Sequence, residues 1–162
     1  MTQNSGLFRS PLMELEADWI DYNGHLNMAY YNVLFDRGCD GYFEMIGLGP
    51  DYVSERNMTF YTAEAHVRYV REIHLGDKVY VTMQVVDYDE KRVHAFASLY
   101  HESGWLSATS ETMSLHIDMS GPKVAPFPDD VMSALKKRAE IDLSQGKPEG
   151  VGRKIEIVRK PA

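Results

Sequence analysis

An acid, a glycine, a histidine and an asparagine stand close together in the segment DYNGHLN, residues 21–27, immediately before a run with helical periodicity. A carboxylate such as that of Asp21 can attack a carbonyl carbon or take a proton from water. The start of a helix adds amide groups without internal acceptors and a positive dipole end, which favour an anion. The same pattern is also typical of an aspartate turn followed by a helix cap at Asn27, and the local sequence leaves both interpretations open.

Composition and charge exclude several classes of protein. With 162 residues, 44% hydrophobic and 25% charged, the chain has the size and balance of one globular domain. The formal net charge of -7 argues against a nucleic-acid binder, which needs a basic face. No segment approaches the roughly 20 apolar residues of a membrane helix, and the N-terminus lacks the layout of a signal peptide. Together with a single cysteine, Cys39, these features predict a cytoplasmic protein.

Hydrophobic periodicity predicts one long helix behind the DYNGHLN segment, from Asn27 to about Ile46. Apolar residues recur there at steps of three and four, which buries one face of the helix. Cys39 lies on this buried stripe and is interpreted as a core residue. The sequence GLGP, residues 47–50, ends the helix because glycine and proline interrupt it.

From about Thr59 the period of the hydrophobic pattern changes to two, which predicts strands. The strands are separated by HLGD, DYDEK and ESG, whose composition predicts turns between antiparallel neighbours. After the proline-rich GPKVAPFP, Asp129 is the predicted N-cap of an amphipathic helix. The final stretch, VGRKIEIVRK, is basic and receives no assignment.

These motifs resemble the hotdog-fold acyl-CoA thioesterases of the 4-hydroxybenzoyl-CoA thioesterase type. The resemblance lies in DYNGHLNMAYY with the helix behind it, and in EAHVRYVREIHLGD with the strands beyond, and it spans roughly Leu12 to Asp118. It implies an α+β fold in which an antiparallel sheet wraps a central helix over residues 1–126. Residues 127–162 would add a C-terminal helix and a basic tail to the same domain.

The resemblance also implies an activity, the hydrolysis of a short acyl-CoA. The motifs are most similar to those of thioesterases of carnitine breakdown assigned to betainyl-CoA. Alternatives that stay open are an aromatic or other short acyl group, a hotdog dehydratase or hydratase, and a non-catalytic acyl-CoA binder. No cofactor is expected beyond the coenzyme A of the substrate, and the histidines lack the spacing of metal ligands.

Within this family pattern, Asp21 is the catalytic residue, either as a nucleophile that forms a mixed anhydride or as a general base. By position, the amide of Met28 is the oxyanion donor. Asn27 caps the same helix end, and Gly24 lets the backbone approach the thioester closely. His25 is expected either to orient the loop or substrate carbonyl, or only to satisfy a backbone group.

Strand residues are predicted to complete the site from a partner subunit. Proteins of this type pair two subunits edge to edge, so a homodimer or a tetramer of dimers is expected. Glu64, His66 and Arg68 share one strand face, and Glu64 would act as a second carboxylate or attract a cationic acyl group. The alternative is a solvated sheet face. Rings near Asp21 suit a quaternary ammonium group or belong to the core; they are Trp19, Tyr22, Tyr30 and Tyr31.

Coenzyme A carries phosphates, so a basic rim is expected even on an acidic protein. The strand candidates are Arg68, Arg71, Lys91 and Arg92. Weaker candidates in the tail are Arg153, Lys154, Arg159 and Lys160. No glycine-rich phosphate loop is present in the sequence, so side chains would hold the nucleotide at the surface.

Overall fold

A computed structural model describes residues 6–161, which form one antiparallel sheet and three α-helices. The strands are β1 (Phe8–Arg9), β2 (Met13–Glu14), β3 (Met58–Tyr69), β4 (Lys78–Tyr88), β5 (Arg92–His101), β6 (Leu106–Asp118) and β7 (Lys123–Val124). The helices are α1 (Tyr31–Met45), α2 (Pro50–Arg56) and α3 (Asp129–Ser144).

The sheet runs in the order β1-β4-β5-β6-β3, with β2 paired to β4 and β7 paired to β6. All pairings are antiparallel, as the turn-separated alternation in the sequence predicts. The 12-residue strand β3 lies at one edge, and its middle residues, 61–65, are exposed. One long edge of the sheet therefore has no neighbour within residues 6–161.

Helix α1 lies against one face of the sheet and buries Leu34, Phe35 and Tyr42. Gly38 permits this close packing, because a Cβ atom at that position would lie 2.5 Å from Cγ2 of Val81 on β4. We call the face that α1 covers the inner face. A long helix on an antiparallel sheet, with a further helix after it, confirms the predicted α+β hotdog architecture.

The helix boundaries differ from the sequence prediction in three places. The run that begins at Asn27 starts with a 3-10 turn, Met28–Tyr30, before α1 proper. Helix α2 was not predicted; the proline of GLGP, Pro50, is its first residue, a position that tolerates proline because its N–H would be unsatisfied there. The N-cap prediction for Asp129 is wrong, since Pro128 holds that position and Asp129 lies in the first turn, where its charge favours the helix dipole.

Helix α3 is joined to α1 and β4 by a buried polar network. The carboxylate of Asp142, which is fully buried, accepts hydrogen bonds from the hydroxyl of Tyr42 at 2.6 Å and the N–H of Val85 at 2.9 Å. Its other oxygen lies 2.6 Å from Nη2 of Arg138. Burial and the neighbouring carboxylate raise the pKa of Tyr42, so its hydroxyl stays a donor.

Within residues 6–161, no helix has the length and apolar character needed to cross a membrane. The predicted cytoplasmic location stays a prediction.

Candidate active site

The loop that carries Asp21 is closed by backbone hydrogen bonds. The N–H of Asp21 donates to the carbonyl of His25 at 3.1 Å, and the N–H of Gly24 donates to the carbonyl of Asp21 at 3.0 Å. Gly24 has a φ of +82°, a left-handed conformation that residues with a Cβ rarely adopt. The loop therefore holds Asp21 and His25 at its two ends, directly before the start of the helix.

One oxygen of the Asp21 carboxylate is fixed and the other is available. Its Oδ1 accepts a hydrogen bond from the N–H of Asn23 at 2.8 Å. Its Oδ2 has no hydrogen-bond partner within residues 6–161. Because the side chain is only partly buried, the free oxygen can reach a ligand.

Asp21 lies on an open cavity of 540 Å³. The cavity is formed by the loop, the first helical turn and the chain that leaves β3. Its lining residues are Asp21, Tyr22, Asn23, His25, Leu26, Asn27, Met28, Tyr31, Tyr69, Val70, Arg71 and Glu72. Of the predicted site residues, the structure therefore brings Asp21, His25, Asn27, Met28, Tyr31 and Arg71 to one cavity. Both neighbours of Gly24, which are Asn23 and His25, line it as well.

The first helical turn leaves one amide available to this cavity. The side chain of Asn27 accepts the N–H of Ala29 at 3.0 Å, and its carbonyl accepts the N–H of Tyr30 at 3.0 Å. The N–H of Met28 has no acceptor within residues 6–161. The hydroxyl of Tyr69 donates to the carbonyl of Met28 at 3.1 Å, which fixes the turn from the strand side.

His25 lies beside an acid that sequence reasoning missed. Nε2 of His25 is 3.7 Å from Glu72, and Nε2 of His74 is 3.9 Å from the other oxygen of the same carboxylate. The Glu72 side chain is 60% exposed. Glu72 is thus a second carboxylate on the rim of the Asp21 cavity.

The aromatic residues near Asp21 divide into cavity and core residues. Tyr31 and Tyr69 both border the cavity, with ring centroids 5.0 Å apart, and burial raises the pKa of each phenol. Tyr31 is only 3% exposed and belongs to the core, whereas Tyr69 is 46% exposed. Trp19 is buried, stacks on Tyr30 at 5.7 Å and does not line this cavity. Tyr22 lines the cavity but is 98% exposed. The core alternative left open by the sequence therefore fits Trp19 and Tyr31.

Glu64 and His66 are placed away from Asp21. Strand β3 has a β-bulge between Thr62 and Glu64, which interrupts the alternation of its side chains. Thr62 and Ala65 therefore both line an inner-face cavity under α1. Their neighbours Tyr61, Glu64 and His66 point to the opposite, outer face. There they line a separate cavity of 300 Å³ with His94 and Glu111. A single chain does not bring either residue to Asp21, and their predicted contact with substrate across a subunit interface stays a prediction.

Of the three predicted CoA-binding arginines, Arg71 alone lines the Asp21 cavity within the described part of the chain. Its guanidinium lies 4.0 Å from the ring centroid of Trp105. Arg68 lies on the outer face. Arg92, the first residue of β5, donates a hydrogen bond to Asp89 in the preceding turn at 2.7 Å. Within residues 6–161, no group of three His, Cys, Asp or Glu side chains is arranged to hold a metal ion.

Tyr69 and Glu72 were missed because packing brings them to the site. The N–H of Leu26, in the loop, donates to the carbonyl of Ile73 at 2.9 Å, which fastens the exit of β3 to the start of the helical segment. Both missed residues stand in the segment EAHVRYVREIHLGD. Tyr69 is the last residue of β3, and Glu72 is an acid in the chain that leaves the strand. They lie more than 40 positions after DYNGHLN, so that motif alone does not indicate them.

The fold and the site define the class of protein. Residues 15–135 match the family described as the thioesterase-like superfamily, and the chain belongs to that superfamily. A hypothetical protein from Staphylococcus aureus, solved in complex with CoA, has a similar structure, with a TM-score of 0.86 and 30% identity over 94% of this chain and 96% of that one. The predictions of the hotdog thioesterase family and of a thioester hydrolase are confirmed.

Two relatives carry more particular names. The betainyl-CoA thioesterase of Pseudomonas aeruginosa is 35% identical over 156 residues, which is 96% of each chain. The L-carnitine dehydrogenase/betainyl-CoA thioesterase of Rhizobium meliloti is 38% identical over 152 residues, which is 93% of this chain and 30% of the relative. The chain thus spans about a third of the latter and nearly all of the former.

Proposed function

We propose that this chain hydrolyses betainyl-CoA to betaine and free CoA, with Asp21 as the catalytic carboxylate. The observation that carries the proposal is the free oxygen of Asp21 on the same cavity as the available N–H of Met28. The full-length similarity to the betainyl-CoA thioesterase of Pseudomonas aeruginosa supports the choice of acyl group.

Two routes fit this arrangement. In the first, Asp21 attacks the thioester carbonyl, the carbon–sulfur bond breaks, CoA leaves as its thiolate and water then hydrolyses the mixed anhydride. In the second, Asp21 takes a proton from water as the hydroxide adds to the carbonyl, and the collapse of the tetrahedral adduct releases CoA. In both routes the Met28 N–H and the positive end of the helix stabilise the oxyanion.

Tyr69 acts as a positioning residue because its hydroxyl holds the turn that presents the Met28 amide. We expect Tyr69→Phe, which keeps the ring, to lower kcat roughly three- to tenfold, as the loss of one hydrogen bond implies. KM should change little, because the phenol positions the oxyanion donor, which acts in the transition state, and does not itself bind the substrate in the ground state. Steady-state kinetics check this; a variant with unchanged kcat and a raised KM would contradict the positioning role.

The cationic head of betainyl-CoA is adjacent to its carbonyl, so the group that recognises it must lie in the Asp21 cavity. Glu72 meets this condition and Glu64 in the same chain does not. The exposed ring of Tyr69 adds a surface that attracts a quaternary ammonium group. Glu72 is therefore proposed as the carboxylate that favours a cationic acyl group.

Glu72→Gln should reduce the preference for betainyl-CoA over its neutral tert-butyl analogue, 3,3-dimethylbutyryl-CoA. The expected reduction is about fivefold, because a half-exposed charge contributes only ~1 kcal/mol. The matched control is Glu64→Gln, which makes the same change on the outer face. The ratio of kcat/KM for the two substrates is the measurement. If Glu64→Gln lowers the ratio and Glu72→Gln does not, the sequence-based assignment to Glu64 is right and this one is wrong.

The phosphates of CoA need cations near the cavity, and Arg71 supplies one there. The indole of Trp105 beneath its guanidinium orients the side chain. The remaining predicted bases, at Arg68, Arg92 and the tail, lie elsewhere in the single chain.

We propose that two chains pair through β3 to form a homodimer. The exposed middle of this edge strand includes Ala65, which faces inward and is exposed in the single chain. Pairing of two β3 strands would satisfy their free backbone groups and cover these residues. Light scattering at micromolar concentration should give the mass of a dimer or of a tetramer of dimers; a monomer mass contradicts the pairing.

The proposed activity is tested with a panel of acyl-CoAs and a thiol-trapping dye. Hydrolysis frees the CoA thiol, whereas hydration of an enoyl thioester leaves it capped. We expect dye signal with betainyl-CoA and weaker signal with aromatic and aliphatic acyl-CoAs. If only an aromatic acyl-CoA gives dye signal, the proposed acyl group is wrong. If the chain binds acyl-CoAs and none gives dye signal, it is a non-catalytic acyl-CoA binder.

A further inference from the structure

The segment after Arg153 exposes apolar side chains to an unusual degree. Ile155, Ile157 and Val158 are 91%, 78% and 83% exposed. Ile155 and Ile157 alternate with Lys154 and Glu156, the spacing that places two apolar residues on one side of an extended chain. Scattered exposed apolar residues are normal on a protein surface, but three within four positions indicate a surface that is covered by a partner.

The chain reaches this segment by crossing the outer face of the sheet in one direction. Just after α3, the carbonyl of Gly146 accepts a hydrogen bond from Gln84 of β4 at 2.9 Å. Val151 then lines a hollow with His94 of β5. Gly152 donates its N–H to the carboxylate of Glu111 on β6, at 2.9 Å from the nearer oxygen.

The next residue continues along the same line. Arg153 lines the outer-face cavity with Glu64 and His66, which belong to β3, the edge strand. The chain has therefore passed β4, β5, β6 and β3 in their spatial order. Strands are about 4.8 Å apart and an extended chain advances about 3.3 Å per residue, so residues 154–160 are long enough to continue well past the sheet edge.

We infer that residues 154–160 of one protomer pack on the outer sheet face of a second copy, next to the partner's β3. This inference rests on the proposed pairing of two β3 strands, which continues the sheet beyond the edge. The outer face there offers Tyr61, which is 47% exposed beside β6, and the exposed carboxylate of Glu64.

Charge favours a second copy as the occupant. Residues 153–160 carry four bases, Arg153, Lys154, Arg159 and Lys160, and one acid, Glu156. The whole chain has a net charge of -7, so this arm is basic and the body that it would meet is acidic. A two-fold axis would give each protomer the same exchange, so both arms would be covered.

The test uses a cysteine pair, Tyr61→Cys with Ile157→Cys, oxidised in the otherwise unchanged full chain. The natural Cys39 does not interfere, because burial raises its pKa to about 12 and the thiol stays protonated. A non-reducing gel should show a covalent dimer. Matched controls are the two single variants and Leu12→Cys with Ile157→Cys, since Leu12 is exposed beside β2 at the other edge; these should stay monomeric on the gel.

A second variant, which ends at Arg153, tests whether the arm stabilises the dimer. We expect its dimer to dissociate at a concentration at least tenfold higher than the full chain. If the full chain is a dimer but the pair fails to cross-link, or links only within one chain, the arm exchange is wrong and the proposed thioesterase stands. If the full chain is a monomer, the arm exchange and the β3 pairing both fall.

Discussion

Asp21→Asn is expected to lower kcat for betainyl-CoA at least about a hundredfold if Asp21 is a general base, and further if it is the nucleophile. Asparagine keeps the shape of the side chain and an oxygen that can accept the N–H of Asn23, so the loop should stay closed. It has no charge with which to attack a carbonyl or hold a proton. The loss should therefore fall on chemistry and leave the structure intact.

The matched control is Asp18→Asn, the same change at an exposed position in the preceding turn. Both variants should give the circular dichroism and urea midpoint of the unchanged chain, and Asp18→Asn should keep its turnover. If a folded Asp21→Asn variant keeps near-normal turnover, Asp21 has no catalytic role and only stabilises the turn.

Asp142→Ala should lower the free energy of unfolding by about 3–5 kcal/mol, the range for breaking a buried ion pair. The substitution leaves Arg138, itself 8% exposed, without its carboxylate. It also removes the acceptor of the Tyr42 hydroxyl and the Val85 N–H.

Urea unfolding followed by circular dichroism measures this effect. Glu140→Ala, on the exposed side of the same helix, should change the free energy of unfolding by no more than about 0.5 kcal/mol. A single transition in both variants would support the prediction that α3 and the hotdog body form one domain. Separate transitions, with the first alone shifted by Asp142→Ala, would mean that the C-terminal helix folds independently.

Much of the fold follows from local patterns in the sequence. The period of the apolar residues places α1 and the long strands, because burying one face of a helix or strand leaves that imprint. The placement of Asp21, Asn27 and Met28 beside one another could also be predicted, since a loop, a cap and a first helical turn are contiguous in the sequence. The catalytic role of Asp21 follows only from the resemblance and stays a proposal. The structure adds that one oxygen and one amide are left available there.

Other parts of the site depend on contacts between distant segments. Glu72 and Tyr69 reach the cavity because β3 ends beside the start of the helix, which a local pattern does not show. The period of two correctly groups Glu64 with His66, but it does not say which side of the sheet the helix covers. The sequence leaves Trp19 open as a ligand contact or a core residue, and in the structure it is buried and stacked on Tyr30.

The most direct test of the whole account compares betainyl-CoA with 3,3-dimethylbutyryl-CoA, which has the same shape without the charge. The enzyme should hydrolyse both through Asp21 but favour the cation, because the exposed ring of Tyr69 and the carboxylate of Glu72 lie in the same cavity. We predict a kcat/KM at least roughly tenfold higher for betainyl-CoA, as expected for a partly desolvated ammonium group beside aromatic faces. An equal or higher kcat/KM for the neutral analogue would contradict recognition of a cationic acyl group in this cavity.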